Sequence, residues 1–196
     1  MIDTPRLRLR RWEPRDRAPF AALNADPAVM RFFLKPLLRF ESDSVVSRLE
    51  DRWAADGVSF GVAERRDDGA FLGMVGLSRL RFPELGPPFD GALEVGWRLA
   101  RAHWGQGYAT EAAAAWLDFG FEALGDAEIV AITAVPNLPS QAVMRRLGMA
   151  PDPARSFAHP GMPEGHPLRP HRLFAIDRAA WRATAWFGLP EPRALG

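Results

Sequence analysis

The chain has 196 residues, 47% hydrophobic and 25% charged, the composition of a folded globular protein rather than a disordered one. A formal net charge of +1 gives no field to recruit nucleic acid or an anionic membrane surface, and the lack of cysteine excludes disulfides, thiolate metal sites and a cysteine nucleophile. The opening "MIDTPRLRLRRW" has no apolar signal core and no apolar run nears the ~20 residues of a bilayer span, so a cytoplasmic protein without a membrane partner is expected.

Near the start, Leu7 and Leu9 alternate with Arg6, Arg8 and Arg10, the period of a half-buried strand, with the arginines expected on a solvated face. Helices are expected around Asp16–Ala25 and Pro27–Phe33. A third should follow Ser42 or Asp43 as N-cap, with Val45, Val46, Leu49 and Trp53 on one stripe and Gly57 closing it. In "VSFGVAERRDDGAFLGMVGLSRL" two apolar runs flank Asp67-Asp68-Gly69, a β-hairpin signal. A strand is expected at about Gly91–Leu99.

Then "HWGQGYATEAAAAW" turns through two glycines into a helix. Ala109, Ala113, Trp116, Leu117, Gly120 and Leu124 share one face of it, and Glu111, Asp118 and Glu122 the other. "AEIVAITAV" reads as a buried strand and "PNLPSQAVMRRLGM" as a loop and short helix. Residues 151–170, rich in Pro, Gly and His, read as a mobile loop, and "HRLFAIDRAAW" as a last strand and helix. With no internal repeat and no dividing linker, residues 1–196 are expected to form one α/β layered domain around a mixed sheet.

The glycine turn carries the chemistry. A helix start exposes unpaired N–H groups and the positive end of the helix dipole, and glycines let the backbone approach a phosphate. Gly105, Gln106, Gly107, Tyr108, Ala109 and Thr110 could therefore present donors to a pyrophosphate. A P-loop is excluded because Tyr108 follows Gly107, and a dinucleotide fingerprint because Thr110 stands in place of its third glycine. A tight strand-to-helix turn with no ligand remains the alternative.

"WGQGYATEA", preceded by "LEVGWRL" and followed by "NLPSQAVMRRLGM", resembles the GNAT superfamily of acetyl-CoA-dependent N-acetyltransferases. Trp104-Gly105-Gln106-Gly107-Tyr108-Ala109 matches the family motif Arg/Gln-x-x-Gly-x-Gly/Ala with Trp104 in the first slot. The opening "TPRLRLRRW" and closing "HRLFAIDRAAW" are similar to the branch holding the ribosomal-protein-alanine N-acetyltransferases. The resemblance implies a GNAT fold, a mixed and mostly antiparallel sheet flanked by helices, with two splayed strands that take acetyl-CoA between them. It places the pyrophosphate on Gly105–Thr110 and the pantetheine arm against free backbone groups such as those of Leu99. It also puts Asn137 on the cofactor and Ser140 near the thioester sulfur.

Acetyl transfer needs a base for the ammonium and a proton for the leaving thiolate. Glu94 lies where some family members carry a base carboxylate, though it could instead pair structurally with an arginine such as Arg98. Ser140 is the expected acid, or else a helix cap. Many family members place a tyrosine four residues after this serine, where this chain has Met144. Phe32, Phe33 and Trp53 could wall the acceptor pocket or belong to the core. His159, His166 and His171 match no common zinc spacing, so no metal is expected.

The resemblance implies an acetyl group passed in a ternary complex to a primary amine, first a protein or peptide N-terminal α-amine. An aminoglycoside or polyamine is the alternative, its positive charges met by Glu41, Asp43, Glu50 and Asp51. A non-catalytic acyl-CoA-binding domain is the rival outside enzymes. Members of the branch occur as monomers and homodimers.

Overall fold

The computed structural model describes residues 1–87, 89–184 and 186. Eight strands form one sheet: β1 (Ile2–Asp3), β2 (Leu7–Arg10), β3 (Phe60–Arg65), β4 (Phe71–Arg79), β5 (Leu93–Leu99), β6 (Glu128–Ala134), β7 (Ala150–Ala158) and β8 (Pro170–Asp177), in spatial order β1-β2-β3-β4-β5-β6-β8-β7. Every neighbouring pair is antiparallel except β5 and β6, so the sheet is mixed and mostly antiparallel as expected. Helices α1 (Arg17–Ala25), α2 (Pro27–Met30), α3 (Arg39–Asp56), α4 (Tyr108–Glu122), α5 (Leu138–Arg146) and α6 (Arg178–Arg182) complete the fold.

The alternation within each strand divides the core between two faces. Val75, Leu77, Val95 and Leu99 pack under α4, whereas Val62 and Met74 pack with Phe20, Leu23 and Leu49 of α1 and α3. The hairpin turns at Asp67–Gly69 as expected, with Asp68 accepting from the Ala70 N–H at 3.1 Å and pairing with Arg65. Asp177 caps α6 by accepting from the Ala180 N–H at 2.7 Å.

Several sequence expectations need correction. Helix α3 begins at Arg39, not after Ser42 or Asp43, because the Glu41 carboxylate accepts from the Leu38 N–H at 2.7 Å and closes the first turn there. Gly57 ends it, with φ of 71°, as expected. Helix α2 stops at Met30, short of Phe33. Half of the expected mobile loop is a strand, since β7 covers Ala150–Ala158 and only residues 159–169 form turns. Pro151 and Pro153 hid it: proline cannot donate to a ladder, but β7 is an edge strand with one side unpaired.

Of the alternating arginines, Arg6 and Arg8 remain solvent-accessible as expected and Arg10 does not. Arg10 is buried, its guanidinium bidentate on Asp16 at 2.7 and 2.9 Å and also donating to Glu64 at 2.7 and 2.9 Å. Arg6 binds the buried Glu111 while its own side chain stays open to solvent, and Arg8 pairs with Asp3 in the open. Glu111 accordingly lies inside rather than on an outer face of α4, whose residues from Ala112 to Leu117 are all buried. Removing Arg10 would leave two buried carboxylates short of charge compensation, Glu64 keeping only Arg15 at 3.1 Å and Asp16 only the Glu13 N–H at 2.7 Å. The Arg10→Met variant should lose about 3–5 kcal/mol of unfolding free energy in urea titrations.

Candidate active site

Strands β5 and β6 pair at a single position, Glu94 with Val130. Beyond it they separate, so toward Leu99 the β5 backbone has a partner on its β4 side only. The gap opens a cleft of about 620 Å³ that reaches Leu99, Trp104, Gly105, Gly107, Tyr108 and Ala109 on one flank and Asn137 and Ser140 on the other. Arg31 and Arg146 add positive charge to its wall.

On the first flank, Gly105 and Gly107 hold φ of 74° and 81°, in the left-handed region that other residues enter at a cost. The first intrahelical bond of α4 runs from the Glu111 N–H to the Gly107 carbonyl, leaving the N–H groups of Tyr108, Ala109 and Thr110 without intrahelical acceptors. The turn is held from behind. Arg6 donates from Nη1 to the Gln106 carbonyl at 2.9 Å and from Nε to Glu111 at 2.6 Å, and it stacks 4.6 Å over the Tyr108 ring. Glu111 also accepts from the Arg6 N–H and the Thr4 hydroxyl. The sequence reading missed this clamp, whose only signal was an acidic residue in the first turn of α4.

Asn137, rather than Ser140, caps α5: its Oδ1 accepts from the Ser140 N–H at 3.3 Å. Its Nδ2 donates to Thr133 Oγ1 at 2.9 Å and to Ser140 Oγ at 3.0 Å. Ser140 is thus positioned through its lone pair, and its own hydroxyl hydrogen has no acceptor among the described residues.

A second cleft, of about 260 Å³, adjoins the first and shares Phe32, Phe33, Arg98, Asn137 and Ser140 with it. Glu94, Met144, His159 and His171 line this second space. Burial pushes Glu94 up to about 8, a rise that the Arg52 guanidinium opposes from a distance. The expected Glu94–Arg98 pair does not form. Arg98 Nη1 donates to Asn24 Oδ1 at 2.6 Å, its guanidinium lies 4.0 Å over the Phe33 ring, and burial lowers it to about 10.

His159 and His171 stand ring to ring at 4.7 Å with Phe82 and Phe157 around them. Burial lowers both, His171 to about 4, so they are neutral at pH 7. Among the described residues no group of three or more His, Cys, Asp or Glu is arranged for a metal ion.

Of the expected pocket residues, Phe32 and Phe33 line both clefts. Trp53 does not: it is 4% exposed, edge-on to Trp116 in the core. Thr110 is buried and Gln106 folds back onto the Ala102 carbonyl, so neither side chain lines the clefts. The Leu99 carbonyl already accepts from the Trp104 indole at 2.8 Å. Tyr108 lines the larger cleft and not the smaller one, leaving Met144 at the family's tyrosine position.

A glycine turn at a helix start, opening onto a gap between splayed strands, is the arrangement of an acyltransferase that takes its donor as a coenzyme A thioester. Residues 6–150 match the acetyltransferase (GNAT) domain family, and the chain belongs to that family as an acetyl-CoA-dependent N-acetyltransferase. The uncharacterized protein YkkB of Bacillus subtilis is 34% identical over 147 residues, covering 74% of this chain and 83% of the relative. An acetyltransferase from Agrobacterium tumefaciens superposes with a TM-score of 0.72 at 25% identity, over 90% of this chain and 94% of that one. A spermidine N-acetyltransferase from Vibrio cholerae, solved with CoA and spermine, has a TM-score of 0.69 at 19% identity, over 90% of this chain and 98% of that one. That likeness is one of fold alone.

A β-carbon at Gly107 must adopt a left-handed backbone that costs about 1–2 kcal/mol. Gly107→Ala should therefore weaken acetyl-CoA binding ~5- to 30-fold in titration calorimetry.

Proposed function

We propose that this protein acetylates an α-amine, or a primary amine of similar basicity, with Glu94 as base and Ser140 as proton donor. The single observation that carries the reading is that Glu94 and Ser140 line one small cleft joined to the anion-binding turn. The N–H groups of Tyr108, Ala109 and Thr110 would hold the pyrophosphate, with Gly105 and Gly107 setting the turn and Gln106 contributing backbone only. Trp104 and Leu99 would flank the pantetheine arm and Asn137 would bind it. Bound acetyl-CoA supplies the acetyl thioester.

This chain's residues supply the proton traffic. An ammonium has no lone pair, so the acceptor must lose a proton before it attacks. Glu94, near 8, is matched to an α-amine of ~7.7–8.0, so the transfer between them is close to balanced. The free hydroxyl hydrogen of Ser140 is available to the departing thiolate, and Met144 offers no alternative donor. Phe32 and Phe33 wall the junction with apolar surface.

The likeness of the chain's ends to the ribosomal-protein branch favours a protein N-terminus as the acceptor. The polyamine alternative loses its support from the acidic residues of α3. Glu41 pairs with Lys35, Asp43 with Arg39 and Glu50 with Arg17, and none of these carboxylates nor Asp51 lines either cleft. A domain that only binds acyl-CoA would release no thiol in the presence of amines.

Thiol release from acetyl-CoA, screened over N-terminal peptides, amino acids and polyamines, tests the reading; silence with every amine would sink it. Because Glu94 must be ionised to act, kcat should rise with pH through about 8 and level off above it. Glu94→Gln should remove that limb and lower kcat ~10²- to 10⁴-fold, with acetyl-CoA affinity unchanged.

A further inference from the structure

The proposed mechanism leaves one buried charge unused. Arg98 and Glu94 lie on the same face of β5, two pleats apart, and Arg98 lines the junction of the two clefts. Nothing of opposite charge pairs with Arg98 among the described residues. Its Nη1 is spent on the neutral amide of Asn24, which is itself buried and fixed by donating to Ser42 Oγ at 2.9 Å. Its Nε is sealed from solvent with no acceptor, and Nη2 has no partner among the described residues.

An arginine without a counter-ion in a partly dry site is costly, and the edge that carries its unused Nη2 can donate to a carboxylate, while the sealed Nε cannot be reached without a shift of its neighbours. The ring of Phe33 covers its face and leaves recognition to that edge. Charge is therefore arranged along the cleft, with an ionisable carboxyl at one end and a fixed cation at the other.

We infer that Arg98 receives a carboxylate carried by the acceptor itself, so that the preferred substrate is an amine bearing a nearby carboxylate, held by Arg98 while its amine faces Glu94. This rests on the acetyl-transfer reading and narrows it. A free α-amino acid and a peptide whose first residue is acidic present the same chemistry. The aromatic wall formed by Phe32, Phe33, Phe60 and Phe82 gives an apolar side chain a place to pack. A polycation without a carboxylate meets Arg98 as a like charge.

The test compares Arg98→Met with the native enzyme on matched acceptors: L-phenylalanine against its primary amide, and amidated dipeptides opening on aspartate against asparagine. Each acceptor is compared with itself across the two enzymes, so differences in amine basicity cancel. The variant should lose ~10- to 100-fold in kcat/KM on the carboxylate member of at least one pair, and less than about 3-fold on its neutral partner, with KM for acetyl-CoA unchanged. The pair that responds identifies whether the free amino acid or the acidic peptide is the source. Arg98→Lys should recover part of the loss, and melting temperatures of both variants show whether they fold. Equal losses on charged and neutral acceptors would overturn the inference. So would weakened acetyl-CoA binding, which would assign Arg98 to the phosphates of the donor. The same pairs read by thermal shift with coenzyme A bound need no turnover. A protein inactive on every amine would therefore sink the transfer reading while this assay still decides the role of Arg98.

Discussion

Two parallel strands that pair once and then part company set the terms for everything else in this molecule. After Glu94 meets Val130, the β5 edge is left with backbone donors and acceptors that no neighbouring strand uses. Unpaired strand edges are normally covered or blunted, because they invite pairing with another chain. Here the edge lies inside a cleft, with α4 starting at one end and α5 standing across from it. The cleft therefore follows from the break in pairing.

Around that gap the protein fixes a few groups firmly. The glycine turn has little side-chain packing of its own, so its shape depends on Arg6, which joins the Gln106 carbonyl to the buried Glu111 carboxylate. Residues about a hundred positions apart thus hold one turn, and the segment between β1 and β2 helps to shape it. Asn137 does similar work on the opposite wall, capping α5 while orienting the Ser140 hydroxyl. In both places one side chain ties a helix entrance to a neighbouring side chain.

The chemistry follows from uneven desolvation. Glu94 and Arg98 share one strand face, yet neither neutralises the other, and burial moves each toward its uncharged form. Two ionisable groups held apart in one cleft can divide the work, one exchanging a proton and the other staying a cation. The two neutral histidines and the phenylalanines beside them enlarge the apolar surroundings that produce these shifts.

Beyond the grouping of Asn137 with Ser140, which the family resemblance implied, the sequence by itself determined the α/β class, the hairpin at Asp67–Gly69 and the glycine turn at the head of α4. Each depends on local chemistry: turn residues, alternation, and glycines where φ must be positive. It could not reveal which arginine is buried, because Arg6, Arg8 and Arg10 alternate identically, and only folding brings Glu111, Asp16 and Glu64 to two of them. It hid β7, since prolines that speak against a strand are tolerated at a sheet edge, and being an edge is a property of the assembled sheet. Trp53 and Phe33 look equally able to wall a pocket until packing puts one against Trp116 and the other over Arg98. The uncompensated charge of Arg98 is likewise invisible along the chain. A missing counter-ion is a fact about three-dimensional neighbours, and only the tertiary structure decides who those are.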